Sequence, residues 1–295
     1  MSSRSFLFVP GDSERKLTRA LAAGADALIL DLEDAVAPEN KSRARSLVCE
    51  FLSARGPDVA ARLWVRVNAL DSPHLRLDLA AIMPAHPYGL VLPKADSAAG
   101  VVGLAAELKA IEAAGGAVVG HTRLMPILET PRGVLNSGGY GGAGLERVAA
   151  MTWGAEDLRA ALGARGPSAA AGQRDFALQV ARAHCLLAAK AMDAAAIDTV
   201  STDFKDLDAL DRECTEAQAE GFSGKLAIHP DQVAIINAAF LPTAEELAWA
   251  RRVIAVLGAD LQVGAAVVDG RMVDRVHGLS ARRMLDAHAR HAQSR

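Results

Sequence analysis

Eight short apolar runs recur along this chain, and each ends in polar or charged residues just before a helix-like stretch begins. The runs are Ser5–Val9, Ala27–Leu30, Leu63–Val67, Gly89–Leu92, Arg123–Leu128, Val148–Trp153, Ala196–Val200 and Lys225–Ile228. Most are rich in Val, Leu and Ile without polar alternation, the pattern of parallel strands buried on both faces. Amphipathic segments lie between them, such as Ser13–Ala23, Ser97–Ala114, Arg174–Ala194 and Asp206–Glu220. Eight strand–helix units in succession predict an α/β fold, the (β/α)8 or TIM barrel. A doubly wound open sheet is the alternative, but it gathers its polar strand ends at one switch point, whereas here nearly every run has them.

Residues 1–242 read as the barrel domain and residues 243–295 as a C-terminal helical and hairpin extension. In the extension, Thr243–Leu257 is a predicted helix, with Thr243 as N-cap and Glu246 closing a capping box. Asp269-Gly270 between two apolar runs predicts a hairpin turn. A last helix spans Leu279–Ala292. This tail is too small to fold alone, so it is expected to pack on the barrel or on a neighbouring subunit.

With 51% hydrophobic and 23% charged residues the chain has the composition of a globular protein, not a disordered one. Its formal net charge of −3, without a basic block, argues against nucleic-acid binding. No apolar run is long enough to span a bilayer, and the N-terminus has no signal-peptide core. Cys49, Cys185 and Cys214 fit no disulfide or metal framework. A cytoplasmic protein with reduced thiols is expected.

In a barrel the chemistry collects at the C-terminal strand ends. Here Glu129 closes the fifth run, and Asp157 follows the sixth in Gly154-Ala-Glu-Asp157. Two carboxylates from neighbouring strand ends make an oxygen-only site that suits Mg2+. Asp31-Leu-Glu33-Asp34 and Arg66 end two further runs. Together they suggest an enzyme that grips a small carboxylate-bearing substrate through a metal. Asp31 reads as structural, inside the rim. Glu33 and Asp34 are placed to orient metal-bound water or Arg66, or else to form rim salt bridges. Lys94 reads as a rim ion-pair partner rather than a Schiff-base lysine, and His229 as a strand-end hydrogen-bonder. Two Gly/Ala-rich segments, Asn136–Gly144 and Leu162–Gly172, read as either substrate lids or plain surface loops.

The opening Arg4-Ser-Phe-Leu-Phe-Val-Pro-Gly11 resembles the start of citrate lyase beta-subunit-like proteins of the aldolase/citrate lyase superfamily. So do Leu30–Val36, Val65–Asn68, Leu92-Pro-Lys94, Glu129-Thr130, Gly154–Asp157, Ala227–Pro230 and the tail Val268–Asp274, in order over nearly the whole chain. The resemblance implies a TIM barrel and Mg2+-dependent carbon–carbon lyase chemistry on 3-hydroxyacyl-CoA thioesters of the citryl-, malyl- or citramalyl-CoA type, giving an acyl-CoA and a 2-oxo acid. It implies that Glu129 and Asp157 hold the metal and that Asp274 protonates the enolate across a subunit boundary, in a homo-oligomer expected to be a trimer. Arg66 is expected to fork onto the substrate carboxylate. Arg15 and Lys16, at the start of the first helix, are candidate contacts for CoA phosphates or a solvated face. A free 2-oxo-acid aldolase, or a carrier-dependent or non-catalytic lyase subunit, is the rival reading. The sequence departs from the family pattern in the two Gly/Ala-rich segments and at Val276, where a proline is common.

Overall fold

The structure, a computed structural model, describes residues 3–60, 62–142, 144–164, 176–258 and 264–293. Among these, eight parallel strands close a barrel in sequence order: β1 Ser5–Pro10, β2 Ala27–Asp31, β3 Leu63–Arg66, β4 Gly89–Leu92, β5 Arg123–Leu128, β6 Ala150–Trp153, β7 Ala195–Asp198 and β8 Gly224–Ala227. Helices α1 Glu14–Ala20, α2 Lys41–Ser53, α3 Pro57–Ala60, α4 Leu75–Ile82 and α5 Ala98–Ala114 intervene in the first half. They are followed by α6 Pro131–Leu135, α7 Ala155–Leu162, α8 Phe176–Ala191, α9 Leu207–Glu220 and α10 Pro230–Ala239. The barrel is therefore the TIM fold, not the open sheet.

Strand residues of one parity fill the barrel interior: Phe6, Ile29, Trp64, Val91, Met125, Ile127, Ala150, Ile197 and Leu226 belong to one buried cluster. Trp64 is the largest of them and packs edge-on against Phe6 and Tyr88, at ring-centroid distances of 6.2 and 5.3 Å. Its indole lies over the start of β4, where Gly89 leaves it space. A Cβ at Gly89 would fall 2.4 Å from the Trp64 ring. The opposite parity faces the helices, and there β7 and β8 carry charge. Asp198 accepts a hydrogen bond from Trp153 Nε1 at 2.8 Å and pairs with Arg182 at 3.2 Å and Lys225 at 3.5 Å. Burial opposes the Asp198 charge, but Lys225 and Arg182 outweigh it and hold its carboxyl below the usual range.

Ser137–Gly141 forms a 3-10 turn that buries Ser137 and Tyr140. Ser137 Oγ lies 2.6 Å from His184 Nδ1 of α8. One aromatic anchor and one long-range hydrogen bond fix a stretch whose local composition favours disorder. The second Gly/Ala-rich segment, Leu162–Gly172, falls for the most part outside the described residues.

The chain divides into two compact units, Ser3–Asn237 and Ala238–Arg295. In the second, α11 Ala244–Leu257 starts with the expected capping box: Thr243 Oγ1 accepts from Glu246 N, and Glu246 Oε2 accepts from Thr243 N. The antiparallel hairpin β9 Ala265–Val268 and β10 Arg271–Asp274 turns on Asp269 and Gly270, both with positive φ, as a tight two-residue turn requires. The last helix, α12 Arg275–Gln293, begins four residues earlier than expected. Its Ala281 packs with Ala250, Val253, Leu257, Val268 and Val273 in a small core. No helix among the described residues is long and apolar enough to cross a membrane.

Candidate active site

The inward parity of the strands carries straight on into the loops at their C-terminal ends. Asp31 and Arg66 sit directly across from each other in the β2–β3 register, two residues beyond the inward pair Ile29 and Trp64. The pairing is bidentate: Arg66 Nε donates to Asp31 Oδ1 at 2.7 Å and Nη2 to Oδ2 at 2.6 Å. Asp31 also accepts from the N–H groups of Glu33 and Ala35, so its carboxylate is fixed from four directions. Arg66 Nη1 lies 3.1 Å from Glu33 Oε2, and its guanidinium covers the Phe8 ring at 4.8 Å. Burial disfavours this charge, but the hydrogen bond and charge of Asp31, with Glu33, outweigh it and hold the guanidinium pKa above its ordinary value.

This geometry bears on the expected fork of Arg66 onto a substrate carboxylate. The Nε–Nη2 fork of Arg66 is taken by Asp31 and is not free for a substrate carboxylate. What Arg66 can offer a ligand is its Nη1–Nη2 end, held still by Asp31 and shared with Glu33 through Nη1. Asp31, expected as a structural residue inside the rim, is buried there and holds Arg66 in place.

Glu129 follows β5 and is 3% exposed. Its Oε1 accepts from the Lys94 backbone N–H at 2.8 Å. Burial, and next the charge of Asp157, raise its pKa from 4.5 to about 8. With its pKa raised this far, Glu129 holds a proton at neutral pH when no cation is near, and a divalent cation beside it would favour the anionic form. Asp157 stands in the first turn of α7, half-buried, with Oδ1 3.7 Å from Lys94 Nζ. Room for the Glu129 carboxylate comes from Gly154, the inward position after β6: a Cβ there would lie 2.5 Å from Glu129 Oε2. Among the described residues no three His, Cys, Asp or Glu side chains form a metal cage. The donor set is thus a pair of hard carboxylates, and it fits a divalent ion that keeps most of its positions for water and substrate oxygens.

Lys94 links the parts. Its ammonium pairs with Glu33 and reaches Asp34 at 3.5 Å as well as Asp157. Glu33 is buried between Lys94 and Arg66; burial raises its pKa, against the pull of Arg66 and Lys94. Asp34 is the outer member, with its side chain 61% exposed. Arg66, Glu33, Asp34, Glu129 and Asp157 are therefore gathered on one rim. Arg15 and Lys16 lie on the exposed side of α1. His229 stacks on Phe204 at 4.8 Å and has Nδ1 3.4 Å from Asp231. Gln232, fully buried, ties these loops by accepting from the N–H groups of Ile228 and His229 and donating to Ser201 O.

Asp274 belongs to the second unit. Its Oδ1 accepts from the N–H groups of Val276 and His277 at the start of α12 and lies 2.7 Å from His277 Nδ1. The His277 side chain, and then its N–H, hold the Asp274 pKa below the ordinary value.

Residues 4–230 match the family described as HpcH/HpaI aldolase/citrate lyase. A (3S)-malyl-CoA thioesterase of Cereibacter sphaeroides is 38% identical over 285 residues, covering 96% of this chain and 93% of that protein. A citrate lyase subunit beta-like protein of Mycobacterium tuberculosis is 36% identical over 270 residues, covering 91% and 89%. Among solved structures, protein CitE from Mycobacterium tuberculosis, in complex with magnesium, acetoacetate and coenzyme A, superposes with a TM-score of 0.80 at 35% identity. That match covers 98% of each chain.

Proposed function

This chain belongs to the HpcH/HpaI aldolase/citrate lyase family, and from that premise we propose that it is a Mg2+-dependent carbon–carbon lyase of 3-hydroxyacyl-CoA thioesters. It cleaves its substrate to an acyl-CoA and a 2-oxo acid, or runs the reverse condensation. The observation that carries this reading is Glu129, a buried carboxylate raised to about 8 beside Asp157, facing the same rim as Arg66. A pair of carboxylates so placed is stabilised by a divalent cation, and a guanidinium nearby is suited to the anionic end of the substrate.

Glu129 and Asp157 are the residues that would hold Mg2+, which when bound supplies a Lewis acid and a template for substrate oxygens. Arg66 orients the substrate carboxylate through the end of its guanidinium, with Asp31 and Glu33 fixing the plane. As the bond between C2 and C3 breaks, its electron pair passes onto the thioester as an enolate, while the C3 hydroxyl gives up its proton to water and becomes the carbonyl of the 2-oxo acid. The enolate carbon then takes a proton. Asp274 is the proposed donor, and it must first part from His277, which holds its proton affinity down. Arg15 and Lys16 are the proposed partners of the CoA phosphates.

We assign the active form to a homotrimer. In the second unit, Val267 and Met272 form an outward cross-strand pair, 69% and 67% exposed, an apolar face suited to a neighbouring subunit. We place the protein in the cytoplasm, in keeping with its three free thiols.

The deciding experiment gives purified protein, with Mg2+, a panel of malyl-, citramalyl- and citryl-CoA, with free hydroxy-oxo acids as control. Release of a 2-oxo acid and an acyl-CoA supports the lyase; cleavage of the free acids alone refutes CoA-ester specificity. Hydrolysis is a second reading, favoured by the 38% identical relative named a malyl-CoA thioesterase. It would release free thiol and hydroxy acid instead, so the products separate the two.

A further inference from the structure

Lys94 meets both halves of the carboxylate pair, Glu129 through its backbone N–H and Asp157 through its ammonium. It follows Pro93 at the end of β4 with φ of 50°, in the left-handed region that few non-glycine residues adopt. That backbone turn aims the Lys94 N–H at Glu129 Oε1, 2.8 Å away, and sends the side chain back across the rim. There the ammonium pairs with Glu33, lies 3.5 Å from Asp34 Oδ2, and stands 3.7 Å from Asp157 Oδ1. Four carboxylates thus meet one residue. The other cation of the rim, Arg66, pairs with Asp31 and Glu33 and leaves the end of its guanidinium to a ligand. Strain of this kind at a polar rim is retained where the surroundings need the side chain in that place.

Building on the divalent-metal reading above, we propose that Lys94 is the resident counter-cation of this site, competing with the divalent ion for Asp157 while its N–H fixes Glu129. Asp157 cannot give full charge to a metal and to an ammonium at once. A divalent ion on Asp157 repels the ammonium, which withdraws to Glu33 and Asp34 on its other side. The Lys94 side chain is 36% exposed, so this short swing breaks no buried packing. The device keeps the acidic rim assembled without a metal and keeps the metal exchangeable. Lys94 is a positioning residue here, not a catalytic one.

Two effects of opposite sign follow from removing its charge, and a merely structural lysine would not produce that combination. The test uses Mn2+ as the probe, titrated into chelator-treated protein and followed by the loss of the free-ion resonance, together with melting of the chelated protein. Lys94→Asn accepts left-handed backbone and carries no charge; Lys94→Met is the longer neutral variant; Lys94→Arg keeps the charge. Lys94→Asn and Lys94→Met should bind Mn2+ about tenfold more tightly, the scale of one unit charge near a half-exposed site, while melting at lower temperature when chelated. Lys94→Arg should stay near wild type. Unchanged or weaker Mn2+ binding in Lys94→Asn, with binding abolished by Glu129→Gln, overturns this proposal and leaves the metal site standing. Equal binding by wild type and Glu129→Gln overturns the metal reading and this proposal with it.

Discussion

Gly154→Ala is the sharpest steric test of the site. Gly154 has extended backbone, φ −115° and ψ 107°, so alanine meets no strain of its own. Its cost is contact. The added Cβ would lie 2.5 Å from Glu129 Oε2, 2.7 Å from Glu129 Cβ and 3.4 Å from Cδ. Carbon contacts settle at about 3.5–4.0 Å, so the Glu129 side chain must retreat by roughly 1 Å, and the retreat pulls it off the Lys94 N–H. A displacement of that size in a reacting site costs about 10²-fold. We therefore expect kcat/KM to fall about 10²-fold, with apparent Mg2+ affinity falling about tenfold or more. Overpacking should cost about 1–3 kcal/mol of stability, visible as a modest fall in Tm while the protein remains folded. Steady-state kinetics at several Mg2+ concentrations, with melting curves alongside, measure all three. If Gly154→Ala matches wild type in kcat/KM and Mg2+ dependence, the placement of the Glu129 carboxylate against β6 is not what the reaction uses.

Arg66→Lys keeps the charge but cannot make the two-point bond to Asp31, so it should lose about 10²-fold in kcat/KM; near-native kinetics would make the arginine structural. In chelated protein the raised Glu129 pKa means that the folded state holds a proton the unfolded chain has lost, so this residue's contribution is present below pH 4.5 and is lost as pH rises to about 8. Melting of wild type compared with Glu129→Gln across that window isolates the effect; a difference that does not change with pH would contradict it. Asp274→Asn and Glu129→Gln, each inactive alone, should regain partial activity in mixed oligomers if Asp274 acts on a neighbour's site. No recovery in verified mixed oligomers removes the cross-subunit role.

The barrel was legible because its physics is local. Strands buried on both faces must be short apolar runs, and every observed strand lies within two residues of an expected run end or start. Capping at Thr243 and the Asp269-Gly270 turn were likewise written in residues adjacent in the chain. What was not legible depends on partners far apart in sequence. Asp31 and Arg66 are 35 residues apart and meet only through strand register. Gly154 matters because of what Glu129 needs on the next strand. Tyr140 and the Ser137–His184 hydrogen bond order a segment whose glycines, taken alone, speak for mobility. Lys94 was legible as an ion-pair partner, but its left-handed backbone, which lets it meet both Glu129 and Asp157, was not.

The central claim is that Glu129 and Asp157 form a divalent-metal site on which the lyase reaction depends. Calorimetric titration of Mg2+ into Glu129→Gln, beside wild type and with melting curves to establish the fold, tests it most directly. The account predicts metal binding and CoA-ester cleavage in wild type, and the loss of both in a variant that still melts cooperatively. Mg2+ affinity in folded Glu129→Gln equal to that of wild type would contradict it.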